Sequence, residues 1–150
     1  MTSQVIARGP DDCETFRIKA ADTNRMTLLA DPVRDGVPFT ALVEIFDEGG
    51  RTPPNTHAQA YEMFYVLAGE GVATCGDVSR PLRRGDMVLV PPGHEHVIEN
   101  TGPGRLYCLT IMVPDEGFAD LIRSGLPQAL DAVDRAALAG APARHGPALA

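Results

Sequence analysis

The sequence predicts an all-β domain of antiparallel strands, with short helices only near its C-terminus. Three observations support this prediction. Apolar runs of strand length recur along the chain, glycine- and proline-rich turns separate them at short intervals, and no helical pattern of about 10 to 15 residues lies between them. The β core is expected over residues 37–114, where the turns include Gly49-Gly50 and Pro91-Pro92-Gly93. An antiparallel sandwich or barrel is the architecture that this pattern favours.

Six strands are expected within this core. In chain order they are VPFTALVEIF (37–46), EMFYVLAG (62–69), GVATCG (71–76), DMVLV (86–90), HVIEN (96–100) and RLYCLTIMV (105–113). Most of these runs are rich in β-branched, aromatic or other apolar residues, which pack well on a pleated surface. Cys75 and Cys108 lie within two of them, where a small buried side chain is their expected role.

Residues 115–140 predict two short helices, and a tail follows over residues 141–150. Asp115 is the expected N-cap of the first helix and Gly125 its end, whereas Pro127 is expected in the first turn of the second helix. The apolar faces are Phe118, Leu121 and Ile122 in the first helix, and Leu130, Val133, Ala137 and Leu138 in the second. These faces are expected to pack on the outside of the β core or on a partner subunit.

Length and composition limit the class of protein. The 150 residues are expected to form one domain, 1–150, large enough to bury a core. A net charge of -7 and the lack of a Lys/Arg cluster argue against nucleic-acid and membrane partners. Three cysteines without a CxxC pair favour reduced thiols, and no apolar signal segment or membrane span is evident. A cytoplasmic location is therefore expected.

Polar side chains occur at alternate positions in two segments. Asn55, His57 and Gln59 share one face if their segment is extended, because side chains in a strand alternate with period two. By the same rule His96 shares a face with Ile98 and Asn100 in the strand-like run HVIEN, with His94 just before it. Three of the four histidines of the chain fall in these two segments, which predicts a common site.

The two segments together resemble the cupin family. The first family motif is Gly, five residues, His-x-His, three or four residues, Glu, six residues, Gly, and here those positions hold Gly49, Asn55-Thr56-His57, Glu62 and Gly69. The second is Gly, five residues, Pro-x-Gly, two residues, His, three residues, Asn, and here it reads Gly85, Pro91-Pro92-Gly93, His96 and Asn100. Two spaced motifs in the right order are far more specific than a lone His-x-His. The resemblance implies an antiparallel double-stranded β-helix, the jelly-roll or cupin barrel.

The resemblance also implies a metal site inside the barrel. Carried over position by position, the ligands are His57, Glu62 and His96, and Glu62 is in addition a candidate catalytic base. One position departs from the family, because Asn55 stands where its first histidine is expected. Asn55 either adds a weak ligand, hydrogen-bonds a metal-bound water, or marks a site that has lost its metal, and Gln59 is a candidate to fill the gap. Two imidazoles and one carboxylate make a facial triad for one divalent transition metal: Fe, Mn, Ni, Zn, Co or Cu.

Burial supports a metal independently of the family. Two histidines and a glutamate are costly inside an apolar barrel unless they are paired or ligated, although a metal-free His–Glu–His cluster satisfies that need too. The residues expected to surround them as a substrate pocket are Tyr61, Phe64, Val66, Val88, Val90 and Ile98.

Three functions are compatible with such a site, since the cupin fold does not fix one. The first is a metal-dependent enzyme on a small organic molecule, with a dioxygenase-type oxidoreductase favoured by the facial triad and by a resemblance to small single-domain quercetin-dioxygenase-like cupins. The second is a redox-neutral isomerase, lyase or cyclase, and the third a non-catalytic binder of a small ligand. A homodimer is expected, because single-domain cupins commonly dimerise and the C-terminal helices offer apolar surface.

Overall fold

The computed structural model describes residues 4–139, so the predicted tail of residues 141–150 lies outside the described part. The strands are β1 Thr15–Arg17, β2 Asn24–Ala30, β3 Thr40–Phe46, β4 Tyr61–Ala68, β5 Glu70–Cys75, β6 Val78–Arg83, β7 Met87–Val90, β8 His96–Asn100, β9 Leu106–Val113 and β10 Leu126–Gln128. The helices are α1 Pro32–Asp35, α2 Phe118–Arg123 and α3 Ala132–Ala139, and a 3-10 turn covers Pro10–Asp12. None of the helices formed by residues 4–139 has the length and apolarity that crossing a bilayer needs.

The strands form two antiparallel sheets. One sheet has the strand order β10-β1-β2-β3-β9-β4-β7, and the other has the order β6-β5-β8. Strands far apart in sequence pair over most of their length, as β9 does with both β3 and β4. The predicted all-β, antiparallel class with short helices is confirmed.

All six predicted strands form close to their expected bounds, but the sheet begins earlier than residue 37. Strands β1 and β2 precede that point, and β2 places Met26 and Leu28 on the same buried face as Leu42 of β3. Strand β6 was also not expected, since its sequence VSRPLR is mostly polar. It lies at the edge of the small sheet, where one face and one side meet solvent and such a composition is tolerated.

The main core lies between the two sheets. Its members are the inward-facing apolar side chains of both sheets, namely Phe46, Phe64, Val66, Ala73, Leu82, Val90, Ile98, Leu106 and Cys108. The alternation along β4 illustrates the cause: Glu62, Phe64 and Val66 are buried, whereas Tyr61 and Tyr65 face outward. One glutamate is thus carried into the interior by the same periodicity that buries its apolar neighbours.

Helix α3 packs on the outer face of the large sheet. Leu130, Ala137 and Leu138 contact Val43 and Ile45, so this apolar stripe is used within the chain. Between α3 and the sheet, the fully buried Asp134 accepts hydrogen bonds from Arg25 (2.8 Å) and from the Tyr107 hydroxyl (2.8 Å).

Three expectations for the helical segment need correction. Pro127 does not begin a helix; it lies in β10, opposite Phe16 of β1, at the edge of the large sheet. An edge strand tolerates proline because one side of its backbone has no partner to bond. Leu121 and Val133 belong to the predicted apolar faces, but both side chains are exposed. The first helix forms, but its N-cap is Gly117 and not Asp115. Asp115 lies two residues before the N-cap, and its carboxylate accepts hydrogen bonds from the backbone N–H groups of Gly117 and Ala119.

Candidate metal centre

Three side chains from distant parts of the chain meet inside the β body. One ligand atom of each of His57, Glu62 and His96 lies within 4.8 Å of the others. Nε2 of His96 is 2.8 Å from Oε1 of Glu62, and Nε2 of His57 is 3.2 Å from the same oxygen. Glu62 and His96 are buried, and His57 is half-buried, so the group opens to solvent on the side of His57.

Backbone pairing explains why these residues meet. The loop before β4 is held against β8 by two hydrogen bonds between Asn55 and His96, of 3.1 and 2.9 Å. Thr52 continues the contact, because its N–H donates to the carbonyl of Ile98 and its hydroxyl accepts from the N–H of the same residue. The N–H of Gly93 donates to the carbonyl of His57 at 2.7 Å. Each of the two sequence segments is therefore a structural support for the other.

The hydrogen bonds of His96 define which of its nitrogens faces the site. Its Nδ1 lies 3.0 Å from the carbonyl oxygen of His94, which can only accept, so Nδ1 carries a hydrogen. Nε2 is then the atom that offers a lone pair when the ring is neutral. A backbone carbonyl on the distal N–H is the usual way in which a metal-binding histidine is oriented.

The electrostatics of the group tie the three residues together. Burial alone would raise the pKa of Glu62, but the hydrogen bonds from His57 and His96 lower it below its ordinary value. Burial alone would lower the pKa of His96, but the hydrogen bonds to Glu62 and to the His94 carbonyl raise it. Without a metal, the short Nε2 to Oε1 contact thus needs a proton between the two atoms.

The residues present fit a divalent transition metal. Two imidazole nitrogens and one carboxylate oxygen converge on a common point in a largely buried setting, and a cation there replaces the proton that the contact otherwise requires. The site would supply three protein ligands, which leaves coordination positions open for a small molecule.

Comparison with known proteins agrees with this geometry. The sequence pattern of the family described as "Cupin domain" matches residues 42–112, a range that includes all three residues of the triad.

The chain belongs to the cupin family.

An uncharacterised protein of Methanocaldococcus jannaschii is 30% identical over 110 residues, which cover 72% of this chain and 87% of that protein. The oxalate-binding protein of Thermotoga maritima is 35% identical over 57 residues, 38% of this chain and 47% of that protein. Among solved structures, one described as a predicted oxalate decarboxylase from Thermotoga maritima superposes with a TM-score of 0.65 at 22% identity, covering 73% of this chain and 99% of that chain. At this identity the likeness shows the fold, which is that of a cupin.

The two further candidate ligands of this cupin differ in position. Asn55 is directly opposite His96 in the backbone bridge, so its side chain lies on the same face, at the rim of the site. A role for Asn55 as a ligand stays a prediction. Gln59, in contrast, is exposed, and its N–H donates to Glu116. The chain bends at Ala58 and Gln59 instead of continuing as a strand, so the alternation that placed Gln59 beside His57 does not apply there.

Most of the predicted pocket residues lie in the main core, and their role as a substrate pocket stays a prediction. Phe64, Val66, Val90 and Ile98 are buried there with Val88 packed against them, and the rings of Phe64 and His96 make an edge contact at a centroid distance of 6.0 Å. The prediction that Tyr61 lines a buried pocket needs correction. Its side chain is 52% exposed, because the alternation that turns Glu62 inward turns Tyr61 outward.

A polar group beside the triad was not foreseen from the sequence. Glu44 of β3 is only 2% exposed, and its Oε2 accepts a hydrogen bond of 2.7 Å from the side-chain amide of Asn24. Burial, and next the charge of Glu62, raise the pKa of Glu44 to about 8. The sequence does contain a signal that Glu44 is buried. Glu44 alternates with Leu42 and Phe46 along the strand, so its side chain must share their inward face.

A cleft leads from the surface toward this polar group. It has a volume of about 330 Å³, and its walls include Asn24, Met26, Asn55 and Phe118. A more apolar cavity of about 280 Å³ lies on the outer face of the large sheet, against Val43 and Leu109, and is therefore separated from the triad by the sheet.

Proposed function

We propose that this cupin is a metal-dependent enzyme that acts on a small organic molecule, with a dioxygenase-type oxidation as the leading reaction. The observation that carries the proposal is the convergence of His57, Glu62 and His96, with both Nε2 atoms turned to one carboxylate oxygen. A bound Fe, Mn, Ni, Zn, Co or Cu ion would supply a Lewis acid and, if redox-active, a centre for reaction with O₂.

The residues of the chain have separate tasks in this proposal. His57 and His96 bind through neutral Nε2 atoms, and the His94 carbonyl fixes the ring of His96. Glu62 binds as a carboxylate and is the group best placed to take a proton from a ligand, because its second oxygen is not held by the histidines. The apolar floor around Phe64 excludes water from beneath the site.

A non-catalytic small-ligand binder is the second candidate. Asn55 in place of the family histidine favours it, and so does the similarity to the oxalate-binding protein of Thermotoga maritima. A redox-neutral isomerase, lyase or cyclase would use the same ligands only to polarise a carbonyl group. We further propose a cytoplasmic protein that acts as a homodimer.

Elemental analysis of protein purified without chelators tests the metal centre. We expect about one first-row transition metal per chain in the wild type and clear loss in Glu62→Ala and His96→Ala, because each change removes one of three ligands. Glu95→Ala is a matched control, since Glu95 is exposed and adjacent to His96 in sequence. A wild type that stays empty after reconstitution with Fe, Mn, Ni, Zn, Co and Cu would contradict both enzymatic proposals.

Turnover with and without O₂ separates the reaction types. An oxygenase stops under anaerobic conditions, whereas an isomerase, lyase or cyclase continues at the same rate. If the loaded protein binds a small molecule and returns it unchanged under both conditions, the binding function is the correct one.

A further inference from the structure

The three residues of the triad are held in place in different ways. Glu62 lies in β4 and His96 lies in β8, so the hydrogen-bonded ladders of the two sheets fix both backbones. His57 lies in the loop between the Asn55 bridge and β4, and it belongs to no strand. The position of its imidazole therefore depends on the contacts that this loop makes with its surroundings.

Three hydrogen bonds hold the loop at His57 and just after it. The carbonyl oxygen of His57 accepts from the N–H of Gly93 at 2.7 Å. The next two residues both donate to one side chain, that of Glu116. The N–H of Ala58 lies 3.2 Å from its Oε2, and the N–H of Gln59 lies 2.6 Å from its Oε1. Each carboxylate oxygen thus binds one N–H group, and hydrogen bonds to an ionised acceptor are stronger than those between neutral groups.

The backbone of Glu116 has a conformation that a side chain disfavours. Its φ is 55°, the only positive value among the non-glycine residues of 4–139. Glycine or asparagine is the usual residue in this left-handed region, because a Cβ crowds the following carbonyl there. A glutamate at this point indicates that its side chain has a use that offsets the strain.

The segment around Glu116 is built without the help of its carboxylate. Asp115 accepts hydrogen bonds from the N–H groups of Gly117 and Ala119 and from the hydroxyl of Thr40, so the start of α2 is tied to β3. Glu116 is exposed, and the two N–H groups that it binds belong to exposed residues. Water can therefore replace the carboxylate without a buried group losing its partner, and the fold needs this contact little.

We propose that Glu116 is a positioning residue, which holds the loop so that the imidazole of His57 binds the metal ion together with Glu62 and His96. This inference rests on the proposed metal-dependent function. His57 is the half-buried member of the triad, and its Nε2 is 3.2 Å from Oε1 of Glu62, compared with 2.8 Å for Nε2 of His96. A ligand with a restrained backbone loses less conformational entropy when it binds, so it stays on the ion for longer.

Metal release tests the positioning role. Protein loaded with Co(II) is mixed with excess EDTA, while the visible spectrum reports the coordination of the ion and then its loss. We expect Glu116→Ala to have shifted Co(II) bands and to lose the ion about tenfold faster than wild type, because the His57 loop is released. The Tm of the metal-free variant should stay within about 3 °C of the wild-type value, because the lost hydrogen bonds are exposed.

Three further variants serve as controls. Glu116→Gln keeps one acceptor oxygen at the same reach, so it should bring the release rate back to within about threefold of wild type. Glu116→Gly removes the carboxylate but also relieves the left-handed backbone. Its metal-free Tm should equal or exceed that of Glu116→Ala, and its release should be at least as fast. Asp120→Ala removes an exposed acid of α2 and should release Co(II) at the wild-type rate.

Equal release rates and unchanged bands in Glu116→Ala and wild type would overturn the positioning role and leave the metal centre standing. The role is also overturned if Glu116→Gln releases the ion as fast as Glu116→Ala. A large fall in the metal-free Tm of both Glu116→Ala and Glu116→Gly would show that Glu116 supports the fold instead. A wild type that binds no metal contradicts the proposed function and this inference together.

Discussion

Asn55 is the residue at which this chain departs from the cupin motif, and its position gives the departure a physical meaning. It is hydrogen-bonded through its backbone to His96 and shares the face of that histidine, yet it also lines the cleft. An amide there is a weaker metal ligand than an imidazole, and it leaves more room for an incoming molecule. We therefore expect the proposed metal centre to favour access over tight metal retention.

The Asn55→His variant measures that balance. We expect it to slow metal loss to a chelator about tenfold, because a third imidazole on the face of His96 adds a ligand. Metal release to excess EDTA is the measurement. Gln59→His is the matched control and should have no effect, since Gln59 is exposed. Equal release rates in Asn55→His and wild type would place residue 55 out of reach of the ion.

Glu44 makes stability depend on pH in a defined direction. Its pKa in the folded protein, about 8, is above its ordinary value of 4.5, because burial and then the charge of Glu62 disfavour the ionised form. The folded state therefore binds this proton more tightly than the unfolded state, and the stabilisation is complete below pH 4.5 and is lost as the pH rises through about 8.

The Glu44→Gln variant isolates this contribution. Between about pH 5 and 8 the free energy of unfolding of metal-free wild type should fall by up to about 1.4 kcal/mol per pH unit more steeply than that of the variant. Urea titrations at several pH values measure the two slopes. Parallel slopes would mean that Glu44 is ionised in the folded protein. Raising the pH also removes the proton from His96. Because the charge of Glu44 is the smallest of the causes that raise the pKa of His96, this contribution differs little between the two proteins.

At the scale of elements, α3 is fixed to the sheet by one buried acid. Although burial alone would raise the pKa of Asp134, hydrogen bonds from Arg25 and Tyr107 lower it well below the ordinary range. Arg25 is itself buried, so its pair with Asp134 is a buried salt bridge. The Tyr107 hydroxyl and the partly exposed Arg105 also donate to the same carboxylate. Breaking such a pair is costly because a charge is left without a partner.

Asp134→Asn should destabilise the protein by about 2–4 kcal/mol, as it leaves the guanidinium of Arg25 buried and unpaired. Arg135→Ala is the matched control in the same helix: its ion pair with Asp11 is exposed, and its loss should cost less than about 1 kcal/mol. Chemical denaturation gives both values. Similar losses in the two variants would contradict the idea that Asp134 anchors α3.

The elements also show what the sequence predicts and what it does not. The motif strands were predictable because their apolar alternation is strong and their turns contain glycine and proline. Strand β10 was not, because Pro127 is equally at home in the first turn of a helix, and its pairing with β1 is set by residues more than a hundred positions away. In the site, the motif spacing predicted His57, Glu62 and His96, whereas the hydrogen bond between Asn24 and Glu44 depends on the pairing of β2 with β3 and has no spacing signal.

At the scale of the whole molecule, one part of the outer face of the large sheet, away from α3, is both apolar and exposed. Tyr61, Tyr65, Met87, Leu89 and Val113 lie side by side on the outer face of β4, β7 and β9. Contiguous exposed apolar surface of this kind is typical of protein interfaces. We expect a second copy of the chain to cover it in a twofold dimer, because the same patch on both subunits is self-complementary.

Sedimentation equilibrium tests the dimer. We expect a species of twice the 16.0 kDa of the chain for wild type, and a 16.0 kDa species for Leu89→Glu, which places a charge in the centre of the patch. Val133→Glu is the control, because Val133 is similarly exposed but lies on α3. A 16.0 kDa species alone for wild type would contradict the proposed dimer. A Leu89→Glu variant that still dimerises would show that the dimer interface lies on another face.

The bridge between Asn55 and His96 has a consequence for how the proposed metal centre would be loaded. These residues stand 41 positions apart and belong to segments that touch only after β8 has docked, so an incomplete or unfolded chain offers no three-ligand chelate. We therefore expect the folded cavity, and not the nascent polypeptide, to select among competing ions. We expect the bound ion to be the one that is most available to the folded protein and that accepts two nitrogens and one oxygen in that geometry.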